Sequence, residues 1–272
     1  MRMSRRTGIY NRRKTYKIIY TGPYTMRNIT WSGRVYEEYE LTGSGTLTIA
    51  GTITGAAVWL CGGGGRGAPS PDCHGGPGAR AASNTNMTLN GSYAVTVGAG
   101  SSSTAAGGTS SFGTLLSATG GQNSGATQTG GTGGGRCGAG TAFAGDGVAN
   151  KRPFNDTANF PSVYCAGGGA GGYSHRPSGA AESNMRGGNG GTNGGSGAVG
   201  ATVTSLSAAT PGTGGATGGG AGANPSVSAS GGAGTTPGSG GGGGARNTTS
   251  SLINNRTPGN GFRGVVIVRI PA

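Results

Sequence analysis

Glycine arrives in this chain in runs, at 62–67, 120–140, 167–172, 187–200, 212–222 and 231–244, and a glycine run excludes most ways of folding. In a helix or an ordinary strand, each glycine gives up more backbone freedom than any other residue and has no side chain to pack in return. Of the 272 residues 66 are Gly and only 32% are hydrophobic, so a conventional side-chain core must be small for the length. Glycine and proline at this abundance usually mark low complexity or disorder. The apolar segments Ala57-Val58-Trp59-Leu60 and Val265-Val266-Ile267-Val268 that punctuate the runs argue for an ordered chain instead. Collagen needs Gly at every third position and abundant Pro, and the chain meets neither condition.

What remains is packing of backbone against backbone. A polyproline II type helix has about three residues per turn and no internal hydrogen bonds, so all its amides face outward. When several lie side by side, each N–H can pair with a carbonyl of a neighbour, and only glycine lets the chains approach closely enough. Gly187-Gly188-Asn189-Gly190-Gly191-Thr192 keeps the required period of three, and Ser239 to Gly244 could sit wholly inside such a bundle. The other segments read as strands. Tyr36 to Leu41 and Thr46 to Ile49 alternate, Ala56 to Cys61 is continuously apolar, Ser92 to Val97 alternates, and Phe262 to Ile270 closes the chain. Weaker strands are expected at Phe112 to Ala118 and Ala201 to Leu206. No amphipathic helix is present in the pattern. The fold expected is therefore mainly β: a β-sandwich-like strand framework with an inserted bundle of polyglycine II helices and almost no α-helix.

The formal net charge is +13, yet nine of the 20 Lys and Arg fall within residues 1–34. This gives two expected units, a basic arm at 1–34 and a glycine-rich β/polyglycine-helix domain at 35–272. In the arm Arg5, Arg6, Arg12, Arg13, Lys14 and Lys17 interleave with Tyr10, Tyr16 and Tyr20. Nucleic-acid binding would have to rest on this arm alone, and docking onto a protein partner accounts for it equally well. No stretch has the length of a membrane span and no apolar segment follows the N-terminal charges, so the expectation is a chain made in the cytoplasm without membrane insertion. Four cysteines, Cys61, Cys73, Cys137 and Cys165, are too few and too scattered to staple the chain, which favours reduced, mostly buried thiols.

Motifs for chemistry fail on context. Gly62, Gly64 and Gly67 match the dinucleotide fingerprint, but Pro69 and Pro71 prevent the helix that fingerprint requires. Asp72, Cys73 and His74 are adjacent in sequence, and neighbours on an extended chain point apart rather than pairing as nucleophile and base. Cys61, Cys73, His74, Cys137, Cys165 and His175 contain no closely spaced cysteine pair to seed a zinc site. Seven carboxylates, three of them at Glu37, Glu38 and Glu40 on one strand, offer no paired acid and base. The expectation is a non-enzymatic protein with no cofactor and no metal.

Bulky and charged residues concentrate where glycine is interrupted: His74, Lys151, Arg152, Phe154, Phe160, Tyr164, Tyr173, His175, Arg176 and Arg186. They read as loops at the ends of a rigid lattice, where recognition usually resides, or else as caps of the bundle.

The order of these parts resembles the glycine-rich domain proteins of tailed bacteriophages. The likeness is carried by the strand Ala56 to Cys61 running into Gly62 to Gly65, by Tyr93-Ala94-Val95-Thr96-Val97-Gly98, by the turn Gly108-Thr109-Ser110-Ser111-Phe112-Gly113, and by the closing strand Gly264 to Ile270. It covers roughly residues 40–270. A similar β-sandwich with polyglycine helices occurs in the extracellular glycine-rich domain of anaplastic lymphoma kinase, and the fibre-tip adhesin of T-even-like phages uses a polyglycine lattice whose loops touch the host. The resemblance implies a virion protein of a tail fibre or tail tip, assembled in the host cytoplasm, usually trimeric. Its arm would dock to other virion proteins and its loops would meet a host surface polysaccharide or protein. A capsid decoration or head-fibre protein is the alternative within that setting. An ice-binding face is a third, which the irregular spacing of Thr and Ala in 212–222 and 231–244 does not favour.

Overall fold

The computed structural model of the chain describes residues 15–69, 74–103, 105–122, 152–168, 173–175, 183–185, 218–223, 230–244, 246–249, 252–255 and 257–272. Eight strands build one antiparallel sheet: β1 (Lys17–Tyr20), β2 (Tyr24–Trp31), β3 (Arg34–Leu41), β4 (Gly45–Cys61), β5 (Ala81–Thr96), β6 (Ser110–Phe112), β7 (Leu116–Ala118) and, last in the chain, β12 (Val265–Pro271). Their order is β2-β3-β12-β4-β5-β6-β7, with β1 added on β4. Four short strands, β8 (Tyr173–His175), β9 (Ser183–Met185), β10 (Arg246–Thr249) and β11 (Leu252–Asn255), form a second sheet in the order β11-β10-β8-β9. The only helical element among the described residues is the 3-10 turn Pro153–Asn155. The chain is mainly β with almost no α-helix, as its patterning predicts. The Ala201 to Leu206 segment lies outside the described residues.

One feature departs from the expected sandwich: the eight long and short strands of the framework all belong to one bent, open sheet. β4 carries register irregularities between Ile49 and Thr52 and again between Ile53 and Val58, with Gly51 and Gly55 at φ +104° and +72°. Bulges of this kind bend a strand. One edge of β4 thus serves two partners, β1 against Leu47 to Ala50 and β12 against Ala57 to Cys61. Both halves contribute to one buried cluster, with Leu47, Ile49, Val95 and Phe112 from one half and Val58, Leu60, Val266, Val268 and Ile270 from the other. The Tyr16 hydroxyl donates to the Pro271 carbonyl at 3.3 Å, joining the two halves at the chain ends.

The arm boundary expected at residue 34 falls inside this sheet. Lys17–Tyr20 and Tyr24–Trp31 are strands, Tyr20 is buried in the core, and its hydroxyl donates to the Gly43 carbonyl. Lys17 is exposed on β1. A basic composition hid an ordinary strand pattern here, because the charges of β1 and β2 lie on exposed positions. Arg5, Arg6, Tyr10, Arg12, Arg13 and Lys14 lie outside the described residues.

The glycine segments continue from the strand ends, after Cys61 and Ala118 and before Val265, and within the described residues they contain neither strand nor α-helix. Their hydrogen bonds run between segments with a period of three. Gly63, Gly64 and Gly65 donate in turn to Gly108, Phe262 and Pro77 on three separate segments, and Gly67 returns to the second of these by donating to Gly259. Gly240, Gly241 and Gly242 address Ala166, Gly65 and Gly232, and Gly244 returns to Ala68. Gly259 and Phe262 both reach the segment of Gly242 and Ser239, whereas Gly261 and Gly264 reach that of Ser101 and Gly98. Residues 62–65 and 238–244 are buried, so these bonds satisfy amides that water cannot reach. The backbone pairing anticipated from sequence is present at this level of connectivity. Polyglycine helices are not among the described elements, and the runs at 123–140 and 187–200 lie outside them.

Candidate functional site

β12 reads Val265-Val266-Ile267-Val268-Arg269-Ile270, and both of its faces are buried. Alternation sends Val266, Val268 and Ile270 to the core described above and Val265, Ile267 and Arg269 to the opposite face. There a second cluster gathers Ala57, Trp59 and Cys61 of β4 with Phe154, Phe160, Tyr164 and Cys165 of the loop 152–168. That loop lies across the outer face of the sheet.

A buried arginine fastens it. Arg269 is fully buried, and burying a guanidinium is costly unless it is paired. β-Sheet register lines up Arg27, Glu38 and Arg269 across β2, β3 and β12. Glu38 accepts from Arg269 Nε at 2.8 Å and from Arg27 Nε at 2.7 Å. From the loop, Asp156 accepts from Arg269 Nη2 at 2.7 Å. The guanidinium also lies 4.3 Å from the ring centre of Phe154, 4.8 Å from Trp31 and 5.6 Å from Phe160. Among the described residues its Nη1 has no hydrogen-bond partner, and the rings take up part of its charge.

Asp156 also organises its own turn. Its Oδ1 accepts from the backbone N–H of Ala158 and of Asn159, and Asn159 Nδ2 donates to Asp156 Oδ2 at 2.7 Å and to the Thr30 carbonyl at 3.1 Å. A residue that pairs with the sheet thus also shapes the loop laid on it.

The sequence pattern of the glycine-rich domain family matches residues 40–271, the span that holds the bent sheet from the end of β3 onward, the glycine segments and the pinned loop. The chain belongs to the glycine-rich domain family. No curated protein matches it.

Within this glycine-rich domain the expected recognition residues are sorted by burial. Phe154, Phe160 and Tyr164 are buried in the second cluster, so they anchor the loop instead of being displayed by it. The reason is that the outer sheet face around Trp59 and Ile267 is itself apolar and takes them up. Edge contacts of Tyr164 with Trp59 at 5.8 Å and with Phe160 at 5.9 Å complete the packing. Burial, with the nearby Glu40 carboxylate, pushes the Tyr164 phenol well above its ordinary range. Arg152 is half-buried and His74 is half-buried, the latter with its carbonyl accepting from Ala68 N–H. Tyr173 and His175 belong to β8. Lys151, Arg176 and Arg186 lie outside the described residues, as do Cys73 and Cys137. Cys61 is a buried thiol and Cys165 is buried beside it in the same cluster.

The residues that organise the site, Arg269, Glu38 and Asp156, were not among those expected. A signal existed: Arg269 interrupts an apolar run at a position facing inward on a strand with both faces covered. Such a charge requires a buried counter-charge, and the three-glutamate strand Glu37 to Glu40 was the nearest candidate.

At the leading end of the loop, Arg152, Phe154 and Asn155 face Trp59, Ala81 and Ser83 across a cleft of about 160 Å³. Phe154 and Asn155 both have left-handed backbone, at φ +55° and +54°. That conformation is unfavourable for residues with a side chain. It keeps Phe154 buried against Arg269 and leaves Asn155 exposed at the rim.

The loop attachment carries a pH dependence. Burial raises the Asp156 pKa, but the hydrogen bonds from Asn159 and the bond and charge of Arg269 outweigh it, and the net direction is below the ordinary value. A carboxyl with a depressed folded pKa stabilises above its unfolded pKa of about 3.9 and loses that contribution as pH falls through the folded value. Stability of the domain is therefore expected to decline as pH drops from about 5 to about 3. In Asp156→Asn the decline should be shallower, measured as urea midpoint against pH; an identical slope in both proteins would remove Asp156 from this role.

Proposed function

We propose that this glycine-rich domain protein is a structural virion component of a tailed bacteriophage, part of a tail fibre or tail tip, that acts in attachment to the host surface. The single observation that supports this reading is the pairing of glycine backbones around a bent sheet with a loop fixed on its outer face by a buried ion network. That combination makes a stiff scaffold that presents a surface, and loops held by a rigid frame are where binding residues concentrate. The reading assigns no catalytic group and no cofactor. Partners under this proposal are other virion proteins on one side and a host surface polysaccharide or protein on the other, with a trimer as the expected assembly.

The test is to locate the chain in intact particles with a specific antibody by electron microscopy. Label on the tail end supports the reading, and label on the capsid supports the decoration alternative and sinks attachment. Docking is tested separately by deletion. Removing residues 1–14 is expected to reduce incorporation into particles. Removing residues 1–34 is expected to lower stability as well, because it takes out β1 and β2 and exposes β4 and β3 edges. Full incorporation without residues 1–14 would overturn the docking role.

A further inference from the structure

β2 ends the long sheet, and among the described residues no strand pairs with its outer edge. Which of its backbone groups face outward follows from the hairpin it forms with β3. Ser32 and Gly33, at φ +49° and +76°, make a two-residue turn between Trp31 and Arg34, which are partners in the register. The pair that closes such a turn exchanges hydrogen bonds, and every second pair after it does the same. Ile29, Arg27 and Thr25 therefore bond to β3, while Tyr24, Met26, Asn28 and Thr30 turn their N–H and C=O groups away from it. The Thr30 carbonyl accepts from Asn159 of the pinned loop. Those of Tyr24, Met26 and Asn28 have no backbone partner among the described residues.

An edge of this kind is a template for a further strand unless something blunts it. β2 is eight residues long and contains neither Lys nor Pro, and it runs against β3 without a register shift. Its one charge, Arg27, is held by Glu38. Residues 24–28 are all exposed, Tyr24 at 48% and Met26 at 50%. Ring contacts at 6.0 Å with Tyr20 and with Tyr39 keep Tyr24 in place.

We propose that β2 pairs antiparallel with β2 of a second copy of this chain, about a two-fold axis at Met26. Register selects the axis. With Met26 opposite Met26 of the second copy, Tyr24 meets Asn28 and Asn28 meets Tyr24, so each free outward group finds a partner, about six hydrogen bonds in all. Pairing stops at Thr30, whose carbonyl Asn159 already takes. An axis at Arg27 would need that carbonyl and would set Arg27 against Arg27. An axis at Thr25 would place Asn28 opposite Gly22, beyond the strand. Side chains agree with the register at Met26. On one face a row of Tyr39, Met26, Met26 and Tyr39 crosses four strands and covers the exposed methionines; on the other, Arg27 stands beside Thr25 of the second copy, with Glu40 one strand further in. The chain as a whole carries +13, yet Arg27, Arg34 and Arg269 balance Glu37, Glu38 and Glu40 over β2, β3 and β12. The strands brought together thus have no net charge of their own to oppose the contact. The inference does not rest on the virion reading. A two-fold contact cannot build a trimer, so it joins two single chains or two such assemblies.

The eight residues of β2 fall well short of the roughly 20–30 a side of a standard interface, so a weak dimer is expected, with a Kd of about 1–100 µM. Sedimentation equilibrium of the purified full-length protein over that range measures it, beside Met26→Lys, Leu115→Lys and Met26→Cys. The native mass is expected to rise with concentration from that of one chain to that of two. Met26→Lys sets like charges on the axis from an exposed position and should weaken association about tenfold or more at an unchanged melting temperature. Leu115→Lys, equally exposed at 50% between β6 and β7, should match the native chain. Facing residues of a hydrogen-bonded antiparallel pair lie about 5.5 Å apart at Cα, within disulfide reach. Mild oxidation of Met26→Cys should therefore give a reducible covalent dimer well above the level in native protein treated alike. A monomer at every concentration, a trimer in place of the dimer, association that Met26→Lys leaves unchanged, or no excess cross-linking would each overturn the proposal. Should Met26→Lys fail to fold, the Met26→Cys cross-link decides alone.

Discussion

Alanine at Gly242 is expected to abolish folding, whereas alanine at Gly91 should lower stability by only about 1 kcal/mol. Both replacements add one methyl group to a glycine, and the difference lies in what surrounds it. At Gly91 the methyl meets nothing within 4 Å, and only the positive φ of +78° opposes it. At Gly242 it would overlap the backbone carbonyl of Ala221 at a separation no real pair of atoms shows. That carbonyl belongs to a segment which is itself held, since Gly232 N–H donates to Ala221 and Ala223 N–H donates to Gly243. Moving it breaks further bonds, so the damage propagates. A loss above about 5 kcal/mol is expected, comparable with the whole stability of many domains. Soluble yield and urea midpoints of the two variants measure it. A folded Gly242→Ala protein with the midpoint of Gly91→Ala would show that the backbones are not in contact.

Replacing Arg269 by methionine should destabilise the domain by about 3–5 kcal/mol, the usual result of breaking a buried ion pair by removing one partner. Methionine keeps much of the volume, so the loss would come from charge. Glu38 would retain Arg27, but Asp156 would lose its only cationic partner among the described residues while staying buried. Adding Glu38→Gln and Asp156→Asn to Arg269→Met should then recover about 2 kcal/mol or more. Chemical denaturation of the single, double and triple variants gives the coupling directly. Strict additivity would mean that the three groups do not act as a unit.

These two results concern different kinds of cohesion, and they were unequally visible in the sequence. The glycine runs carry their own argument, because 66 glycines with few hydrophobic residues leave backbone contact as the main way to fill space. The strands Tyr36 to Leu41, Thr46 to Ile49, Ala56 to Cys61 and Ser92 to Val97 were legible from alternation or apolar continuity. β1 and β2 were not recognised, because their exposed Lys17 and Arg27 made them look like part of a charged arm. The loop aromatics were read as displayed because the chain around them lacks glycine. Nothing local says that the face of β4 and β12 they cover is apolar.

Local pattern therefore determined the material of this protein: short strands, threefold backbone pairing of glycine segments, and a closing strand with one charge in an apolar run. Which of these glycines must remain glycine was decided by the fold, since a methyl group at Gly242 meets a backbone carbonyl whereas one at Gly91 meets nothing within 4 Å. Only the tertiary structure decided that one bulged strand would serve two partners on one edge and bend a single sheet around its core. The meeting of Arg269 with Glu38 and Asp156 was decided there too. These residues are 231 and 113 positions from Arg269, and charge pairing over such separations depends on register and burial, which are properties of the assembled sheet.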